Sequence, residues 1–378
     1  MLNAFRDILG WFPLGLPAWL FVITIVIFFH ELGHFAIARA CGVKVDVFSL
    51  GFGKEIVGRT DKHGTRWRIS WLPVGGYVKF FGDADAASTP DRDVKDYSAA
   101  EKAVMLQFKP LWQRAAVVAA GPFANFILAI LVFALLFLLY GRFIMAPVIG
   151  EIVKDSPAAH AGIRVGDVIQ RINGREITDY GQLPEIISLS GGKPLDIQVG
   201  RQNQTLNFHV IPVTMEIVDP IVGDKSKAFA IGVRGSDRAQ RTHIQYGPIG
   251  ALGAGASETW GIVANTSTYI WQMVTGVSDT SQLRGPAGTA RLAKRFAELG
   301  FLPLVNLMAF FSVSIGLLNL FPIPLLDGGH LLYYACEAVL GRPLGERAQD
   351  IGFRLGLALV LGLMILATWN DVVRWNPF

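Results

Sequence analysis

Four stretches of the chain are apolar over roughly 20 residues, the length that crosses a bilayer as an α-helix. Between the second and the third, residues 141–300 have a soluble composition, and their first half alternates short β-like runs with turns. The pattern predicts a multi-pass α-helical membrane protein of about four transmembrane helices, with a β-rich α+β domain inserted. The predicted spans are Leu14–Ala38 (within a first segment, 1–42), Ala115–Tyr140, Phe301–Pro324 and Ile351–Trp369.

Basic residues near the span ends predict the orientation, because Lys and Arg favour the cytoplasmic side. The connection at 43–114 and its flanks carry thirteen Lys and Arg from Arg39 to Arg114, whereas the N-terminal flank has Arg6 alone. Both termini and the insert are therefore expected outside, with the first and third connections in the cytoplasm. Cys41 and Cys336 then face a reducing compartment, which agrees with unpaired thiols.

Composition excludes several other classes of protein. The chain is 52% hydrophobic and only 17% charged, which is too apolar for an ordinary soluble protein. Its net charge of +4 comes without a run of Lys or Arg, so no nucleic-acid partner is expected. The first apolar stretch lacks a strongly basic start and a small-residue cleavage site, and it predicts a retained span.

The first span ends in the polar sequence HELGH, in which His30 and His34 are four residues apart. On a helix that spacing puts both imidazoles on one face, where they can bind one metal ion. Glu31 lies beside them and can take a proton from a metal-activated water. The alternative is a pair of packing histidines, but ionisable residues inside a span are costly and favour a function.

A catalytic zinc needs a third protein ligand, and polar residues return in GLLNLFPIPLLDGGHLL, which contains Asn319, Asp327 and His330. At 1.5 Å per residue, His30 lies about 20 Å along span one from Pro17. Asn319 lies about 26 Å along span three from Leu302, so the two reach a comparable depth.

Pro322 and Pro324 end the helix and predict a loop with the Leu-Asp-Gly sequence within the connection 325–350. Asp327 is the favoured third ligand; it can alternatively cap the next helix, and His330 is a competing ligand. Asn319 is a candidate to hydrogen-bond a substrate backbone or an oxyanion, or else to bond a neighbouring helix.

HELGH in the first span, NLFPIPLLDGGH in a later one and an external insert together resemble the site-2 protease family of intramembrane zinc metalloproteases, bacterial RseP type. The resemblance implies that His30, His34 and Asp327 bind Zn²⁺. It implies that Glu31 is the catalytic base and acid, and that Asn319 holds or polarises the substrate.

The sequence TRWRISWLPVGGYVKFFG predicts a β-hairpin over about 65–82 that turns at Gly75-Gly76. It resembles the family's membrane-reentrant hairpin on the cytoplasmic side, which implies that Gly75, Gly76 and Tyr77 pair with an extended substrate. GPFANF in span two resembles a family element that places Asn125 near the site as a substrate-binding residue. Close helix packing through Gly121 is the alternative.

The insert begins with SPAAHAGIRVGDVIQRINGREI, which resembles a PDZ domain of bacterial proteases. One such domain is predicted at 143–215, where well-studied enterobacterial RseP has two. It would bind a peptide as an added strand, or act as a spacer without a ligand. In the region after it, 216–300, Ser257–Thr275 predicts an amphipathic helix that lies on membrane lipid or packs against the spans.

These features predict an intramembrane zinc metalloendopeptidase of the bacterial inner membrane. The insert would be periplasmic and the active site would lie towards the cytoplasm. Its substrates would be single-span membrane proteins, such as an anti-sigma factor or a remnant signal peptide. The alternative is a membrane-anchored PDZ adaptor with a structural zinc, which would have four protein ligands and no need of Glu31.

Overall fold

Four helices in the computed structural model are long and apolar enough to cross a membrane, at Leu14–Ala40, Leu111–Tyr140, Phe301–Leu320 and Arg347–Val373. The structure describes residues 2–83, 97–218, 223, 225–236 and 239–374. Each of the four helices overlaps one of the four predicted spans. Part of the predicted connection 43–114, residues 84–96, lies outside the described residues.

Strands occur in two stretches of the described chain, and helices occupy most of the rest. The helices are α1 (Leu2–Ala40), α2 (Ala99–Val104), α3 (Leu111–Tyr140), α4 (Pro157–Ala161), α5 (Gln182–Ser188), α6 (Pro248–Val274), α7 (Pro286–Leu299), α8 (Phe301–Leu320), α9 (Asp327–Leu340) and α10 (Glu346–Arg374). The strands are β1 (Val45–Thr60), β2 (Arg66–Phe80), β3 (Arg142–Met145), β4 (Ile149–Ile152), β5 (Val168–Ile172), β6 (Arg175–Glu176), β7 (Leu195–Arg201), β8 (Gln204–Val210), β9 (Val213–Val218), β10 (Lys225–Ala230), β11 (Val233–Gly235) and β12 (Arg241–Ile244).

The chain forms two compact units. The membrane unit comprises Met1–Phe133 and Gly285–Trp369, and the insert unit comprises Ala134–Arg284 and Asn370–Asn376. The core of the membrane unit includes one buried cluster in which α1, α7 and α8 meet. Its members are Ala18, Val22, Val26, Ala293, Leu304, Leu307, Met308 and Phe311.

The hairpin in the membrane unit is more elaborate than the predicted one. One turn lies at 61–65, where Asp61 and Thr65 share a backbone hydrogen bond. The first half of β1 pairs with both halves of β2, since Leu50 lies opposite both Ile69 and Gly76. Gly75 and Gly76 lie inside β2, with Gly76 opposite Leu50. Residues 47–50 pair in the same direction with 66–69 and in the opposite direction with 76–79, so the chain reverses between Ile69 and Gly76. The reversal predicted at Gly75-Gly76 therefore agrees with the pairing.

The base of the hairpin is anchored, whereas its far part exposes apolar side chains. The base is packed in a buried cluster with α1 and α3, through Val45, Phe48, Val78 and Phe80. Further along the hairpin, the exposed fractions are 75% for Trp71 and between 40% and 64% for a group of other apolar residues. These are Phe52, Ile56, Val57, Ile69, Leu72 and Val74.

The third span is shorter than predicted, and the predicted loop after it contains a helix. α8 ends at Leu320 instead of Pro324, because Pro322 and Pro324 cannot continue the helical hydrogen bonds. After six connecting residues, α9 begins at Asp327 inside the segment predicted as loop and connection at 325–350. Leu325 has a φ of 108°, a conformation that non-glycine residues rarely adopt.

The insert unit is built around a four-stranded antiparallel sheet in the order β6-β5-β7-β8. Its hydrophobic core contains buried side chains from this sheet and from α4 and α5. The core includes Ile169, Ile197, Val199 and Leu183. The stretch after the sheet has a polar sequence without clear periodicity, yet two of its strands return to the start of the unit. There β11 pairs with β4, and β12 pairs with β3.

The predicted amphipathic helix is present as α6, which begins earlier than expected, at Pro248, with Gly247 as its N-cap. Pro suits the first helical position because its missing N–H would have no helical partner there. Ile249, Trp260 and Trp271 follow one another at intervals of 11 residues, or three turns, and are 68% to 87% exposed. α6 therefore presents one continuous apolar stripe.

A buried ion pair holds the loop before β5 against the end of β7. Asp167, only 1% exposed, accepts hydrogen bonds from Arg201 Nε at 2.7 Å and Nη2 at 2.8 Å, and from the Arg164 backbone at 2.8 Å. Burial alone would raise the pKa of Asp167, but these hydrogen bonds outweigh it and hold the pKa below its usual value.

We predict that Asp167→Asn destabilises the insert unit by about 3 kcal/mol, because Arg201 would keep a partly buried charge without its partner. Hydrogen exchange of the β7 amides in the full-length protein should become roughly a hundredfold faster. Because the folded-state pKa is lowered, the stabilisation is present above about pH 4, the unfolded value, and is lost as the pH falls further. Asp196→Asn, at an exposed partner of His209, is the control and should change little; equal exchange in both variants contradicts the assignment.

Candidate metal centre

The first two residues of the centre come from adjacent turns of α1. His30 and His34 are four residues apart, so their side chains lie on one face of the helix. Their Nε2 atoms are 3.2 Å apart, and the ring planes are nearly perpendicular, at 85°. The side chains are only 11% and 12% exposed. Two imidazole nitrogens thus converge on one point beside α1.

Asp327, the first residue of α9, brings a carboxylate oxygen to the same point. Its Oδ2 lies 3.2 Å from His30 Nε2 and 3.5 Å from His34 Nε2. The ligand atoms of the three residues all lie within 4.8 Å of one another. Sequence reasoning placed these residues together although they are about 300 positions apart, and the structure brings them together.

The donor set fits a zinc ion. Two imidazole nitrogens with one carboxylate oxygen are a ligand set of catalytic zinc, which keeps a further position open. Asp327 Oδ2 is buried and has no hydrogen-bond partner, a costly condition that a bound cation relieves. In the part of the chain that the structure describes, the cluster has three members, so a fourth protein ligand that would close it is not among them.

The His34 ring is oriented by a hydrogen bond to α3 on the side away from Nε2. Its Nδ1 lies 2.8 Å from the carbonyl oxygen of Val117, which accepts a hydrogen bond from the Nδ1–H. That bond fixes the tautomer in which Nε2 carries the free lone pair, as in metal-binding histidines generally.

Asn125, also on α3, lies behind the other histidine. Its Nδ2 is 3.3 Å from His30 Nδ1, and the residue is completely buried. The sequence placed Asn125 near the site as a substrate-binding residue. The structure places it near the site but without a surface that a substrate could touch.

Glu31 adjoins the cluster on α1 and lies against β2. Its carboxylate accepts a hydrogen bond from the backbone of Val78, and a Cβ added at Gly76 would be 3.2 Å from Glu31 Cγ. About two turns earlier on α1, the Thr24 hydroxyl lies 3.5 Å from the Pro73 carbonyl oxygen. β2 therefore follows α1 along the stretch that leads to the metal ligands.

Two glycines allow α1 and α3 to pack closely enough for these contacts. A Cβ on Gly33 would lie 2.7 Å from Ala124 Cβ, closer than two carbon atoms approach. A Cβ on Gly121 would lie 2.6 Å from Cε1 of His34 and would overlap the imidazole. The predicted alternative for Gly121, close helix packing, agrees with this geometry.

The start of α9 is fixed by the glycines that follow Asp327. A Cβ on Gly328 would overlap the last carbonyl groups of α8, and one on Gly329 would lie 2.5 Å from the Ile323 carbonyl oxygen. Both positions are buried. Asp327 is thus held at the point where α9 folds back on the end of α8.

The same helix is tied to α3 by an ion pair. Arg114 donates from Nη1 to Glu337 Oε2 at 3.1 Å and from Nη2 to Oε1 at 2.5 Å, and both side chains are about 15% exposed. The guanidinium also lies over the Tyr334 ring, 5.0 Å from its centroid. A two-point Arg–carboxylate pair fixes direction as well as distance, so it orients α9 against α3.

The remaining predicted residues lie around the cluster. Asn319 is half-buried in the last turn of α8, and no hydrogen bond in the described chain joins it to the three ligands. His330 is exposed, with its ring centroid 6.3 Å from that of Tyr333, and is not a member of the cluster. The structure thus groups Asp327, not His330, with the two histidines.

The three predicted hairpin residues differ in what they face. Gly76 contacts the site through Glu31, as described above. Tyr77 stacks on Phe52 with centroids 5.9 Å apart, and its hydroxyl is hydrogen-bonded to Arg68. Gly75 has a φ of 132°, and the Phe52 ring occupies the space where a side chain would be.

Sequence reasoning missed Val117, Gly33 and the pair Arg114–Glu337. Gly33 carried a readable signal, because it lies between the two histidines on a helix that spans a membrane. Val117 acts through its backbone, and the charged pair joins positions 223 residues apart, so neither leaves a local pattern.

Comparisons with known proteins find a peptidase family and several metalloproteases. The model for "Peptidase family M50" matches residues 18–363. A protein of Agrobacterium fabrum named "Putative zinc metalloprotease Atu1380" is 45% identical over 353 residues, 93% of each chain. "Putative zinc metalloprotease R01501" of Rhizobium meliloti is 43% identical, over 94% of this chain and 96% of its own. "Metalloprotease MmpA" of Caulobacter vibrioides is 38% identical over 97% of both chains.

We predict that Gly121→Ala lowers metal affinity at least tenfold, because the added methyl displaces the His34 ring from the cluster. Gly362→Ala is the matched control: it adds the same methyl to a predicted span, where nothing lies within 4 Å. Zinc affinity would be measured by chelator competition on the purified protein in detergent. Equal affinities in the two variants contradict the packing role of Gly121.

Proposed function

The chain belongs to peptidase family M50, the site-2 proteases, and is a zinc metalloprotease; we propose that it hydrolyses peptide bonds in or near the transmembrane segments of single-span proteins. The observation that carries the proposal is the convergence of His30, His34 and Asp327 beside Glu31 on a helix able to span a membrane.

In this proposal His30, His34 and Asp327 hold the zinc ion. When bound, zinc supplies a Lewis acid that polarises the scissile carbonyl and makes water a stronger nucleophile. Glu31 takes the proton from the attacking water and gives it to the leaving amine. The Val78 backbone holds the Glu31 carboxylate beside the ligands, which favours hydrolysis over the alternative of an adaptor with a structural zinc.

The substrate would be bound as an extended strand. A transmembrane helix has its scissile bonds enclosed by its own hydrogen bonds, and its backbone needs new partners when it unwinds in an apolar medium. β2 offers such partners because it runs past Glu31, and strand addition is a general way to bind peptides. Asn319, at the end of α8, would hold the substrate backbone or its developing oxyanion.

The apolar part of the hairpin supports its insertion into the membrane from the cytoplasmic side. Trp71, Leu72 and Ile69 are 75%, 50% and 49% exposed, which suits contact with lipid better than contact with water. The thirteen basic residues between and flanking the first two spans support this orientation for an inner-membrane protein.

The insert unit would then be periplasmic, with a single PDZ domain that binds a peptide or restricts access. The four-stranded sheet with α4 and α5 supports this domain type. We propose a membrane-anchored anti-sigma factor or a remnant signal peptide as the substrate class. Membrane lipid would cover the exposed stripe of α6.

We predict that Glu31→Gln retains zinc but lowers the cleavage rate by about 10³-fold, within the usual range for loss of a general base. The amide has the shape of the carboxylate but does not accept the proton. Cleavage of a co-expressed single-span signal-peptide reporter would be compared with zinc content. Full activity of the purified variant in detergent contradicts the proposed mechanism.

The third ligand has its own test. We expect Asp327→Ala to lose zinc, because two histidines alone leave the site with too few ligands. His330→Ala is the matched control on the same helix and should retain it, since His330 is outside the cluster. Zinc loss in His330→Ala with full zinc in Asp327→Ala assigns the third ligand to His330 and overturns the ligand set.

A further inference from the structure

The side-chain amide of Asn125 has one atom without a hydrogen-bond partner. The side chain is wholly buried, and its Oδ1 has no hydrogen-bond partner. Its Nδ2, a donor, lies 3.3 Å from His30 Nδ1. An unpaired buried amide oxygen costs free energy, so an arrangement that pairs this oxygen is favoured.

The required tautomer of His30 determines that arrangement. Nε2 of His30 points at Asp327 and His34, so a neutral ring that binds metal through Nε2 carries its proton on Nδ1. Nδ1–H then needs an acceptor, whereas Nδ2 of Asn125 is another donor. The oxygen and nitrogen of an amide have nearly the same shape and exchange places when the group turns by 180°. That turn places Oδ1 opposite Nδ1–H, so the contact between two donors becomes a hydrogen bond.

We propose that Asn125 is a positioning residue, whose Oδ1 accepts the hydrogen bond from His30 Nδ1–H and fixes the ring for metal binding. The inference rests on the proposed function, in which His30 is a zinc ligand. It assigns Asn125 to the support of that ligand and replaces the substrate contact that the sequence suggested. With it, each histidine has one acceptor on α3: the Val117 carbonyl for His34 and the Asn125 amide for His30.

The surroundings of Asn125 suit support rather than substrate contact. Ser312 on α8 donates a hydrogen bond from Oγ to the Asn125 backbone oxygen at 2.8 Å. A Cβ added at Gly316 would lie 3.1 Å from Asn125 Cβ, so α8 packs directly on the residue. Exposure is zero, which leaves no surface for a peptide. The side chain is enclosed on the side away from the metal ligands.

The test compares variants by zinc affinity, measured by chelator competition on the full-length protein in detergent without substrate. Asn125→Leu keeps the volume but removes the acceptor, and we expect a 10- to 100-fold loss of affinity, the usual effect of removing such a partner. Asn125→Asp keeps an acceptor oxygen and should stay within about threefold of wild type. Ser314→Ala, which removes a hydroxyl bonded within α8, is the control and should bind zinc as wild type does.

A second readout is the visible absorption spectrum of the Co²⁺-substituted protein, which reports ligand geometry. We expect a shifted spectrum for Asn125→Leu and a wild-type spectrum for Asn125→Asp. Wild-type affinity and spectrum in Asn125→Leu, even with slower cleavage, overturn the proposal and return Asn125 to a substrate role. An Asn125→Asp variant as weak as Asn125→Leu also overturns it.

These outcomes are separable from failure of the proposed function. Zinc affinity and the Co²⁺ spectrum are measured without cleavage, so they assess the support of His30 even if Glu31→Gln were to remain active. The premise that His30 is a zinc ligand is tested with His30→Ala. Zinc binding by this variant as tight as that of the wild type would contradict the premise.

Discussion

The structure depends on holding a carboxylate and two imidazoles at one point beside a membrane-spanning helix. An isolated charge in an apolar medium is expensive, and the cost falls only when partners are held at bonding distance. His30 and His34 are fixed to each other by one helix, but Asp327 arrives from about 300 residues away. The contacts that bring α3, α8 and α9 against α1 are therefore those on which the centre depends.

The contact between α1 and α3 shows how packing and chemistry share the same residues. Val117, Gly121 and Asn125 follow at intervals of four and form one ridge of α3, the row through which helices commonly pack. The first accepts a hydrogen bond from His34, the second leaves space for its ring, and the third lies against His30. The order along α3 is the reverse of that along α1, as expected for consecutive spans. One ridge therefore sets the helix spacing and both ring orientations.

The features that could be predicted from the sequence are those that depend on local periodicity or on the thickness of a membrane. The four spans follow from apolar length, and the pairing of His30 with His34 follows from helical spacing. The reversal near Gly75-Gly76 was predicted because adjacent glycines commonly mark a turn. The pairing of residues 47–50 with both halves of β2 leaves no local pattern and was not predicted. The strands β11 and β12 were not predicted because they pair with strands about 80 to 100 residues earlier. Asn125 was placed near the site, but complete burial depends on the packing of α8, which no local pattern records.

The hairpin and the catalytic carboxylate are not independent parts of this site. The Val78 backbone bonds Glu31, and Gly76 lies against the Glu31 side chain, so a shift of β2 moves the surroundings of the base. β2 is also the strand on which an extended substrate would align. Catalytic groups must be held within a fraction of an ångström of the reacting atoms. A peptide bound along β2 and the Glu31 carboxylate would therefore both have to be in their correct positions at the same time. In the proposed mode of binding, a peptide in the wrong register would strain the strand that holds Glu31, so selection of the scissile bond and activation of water would share one structural element.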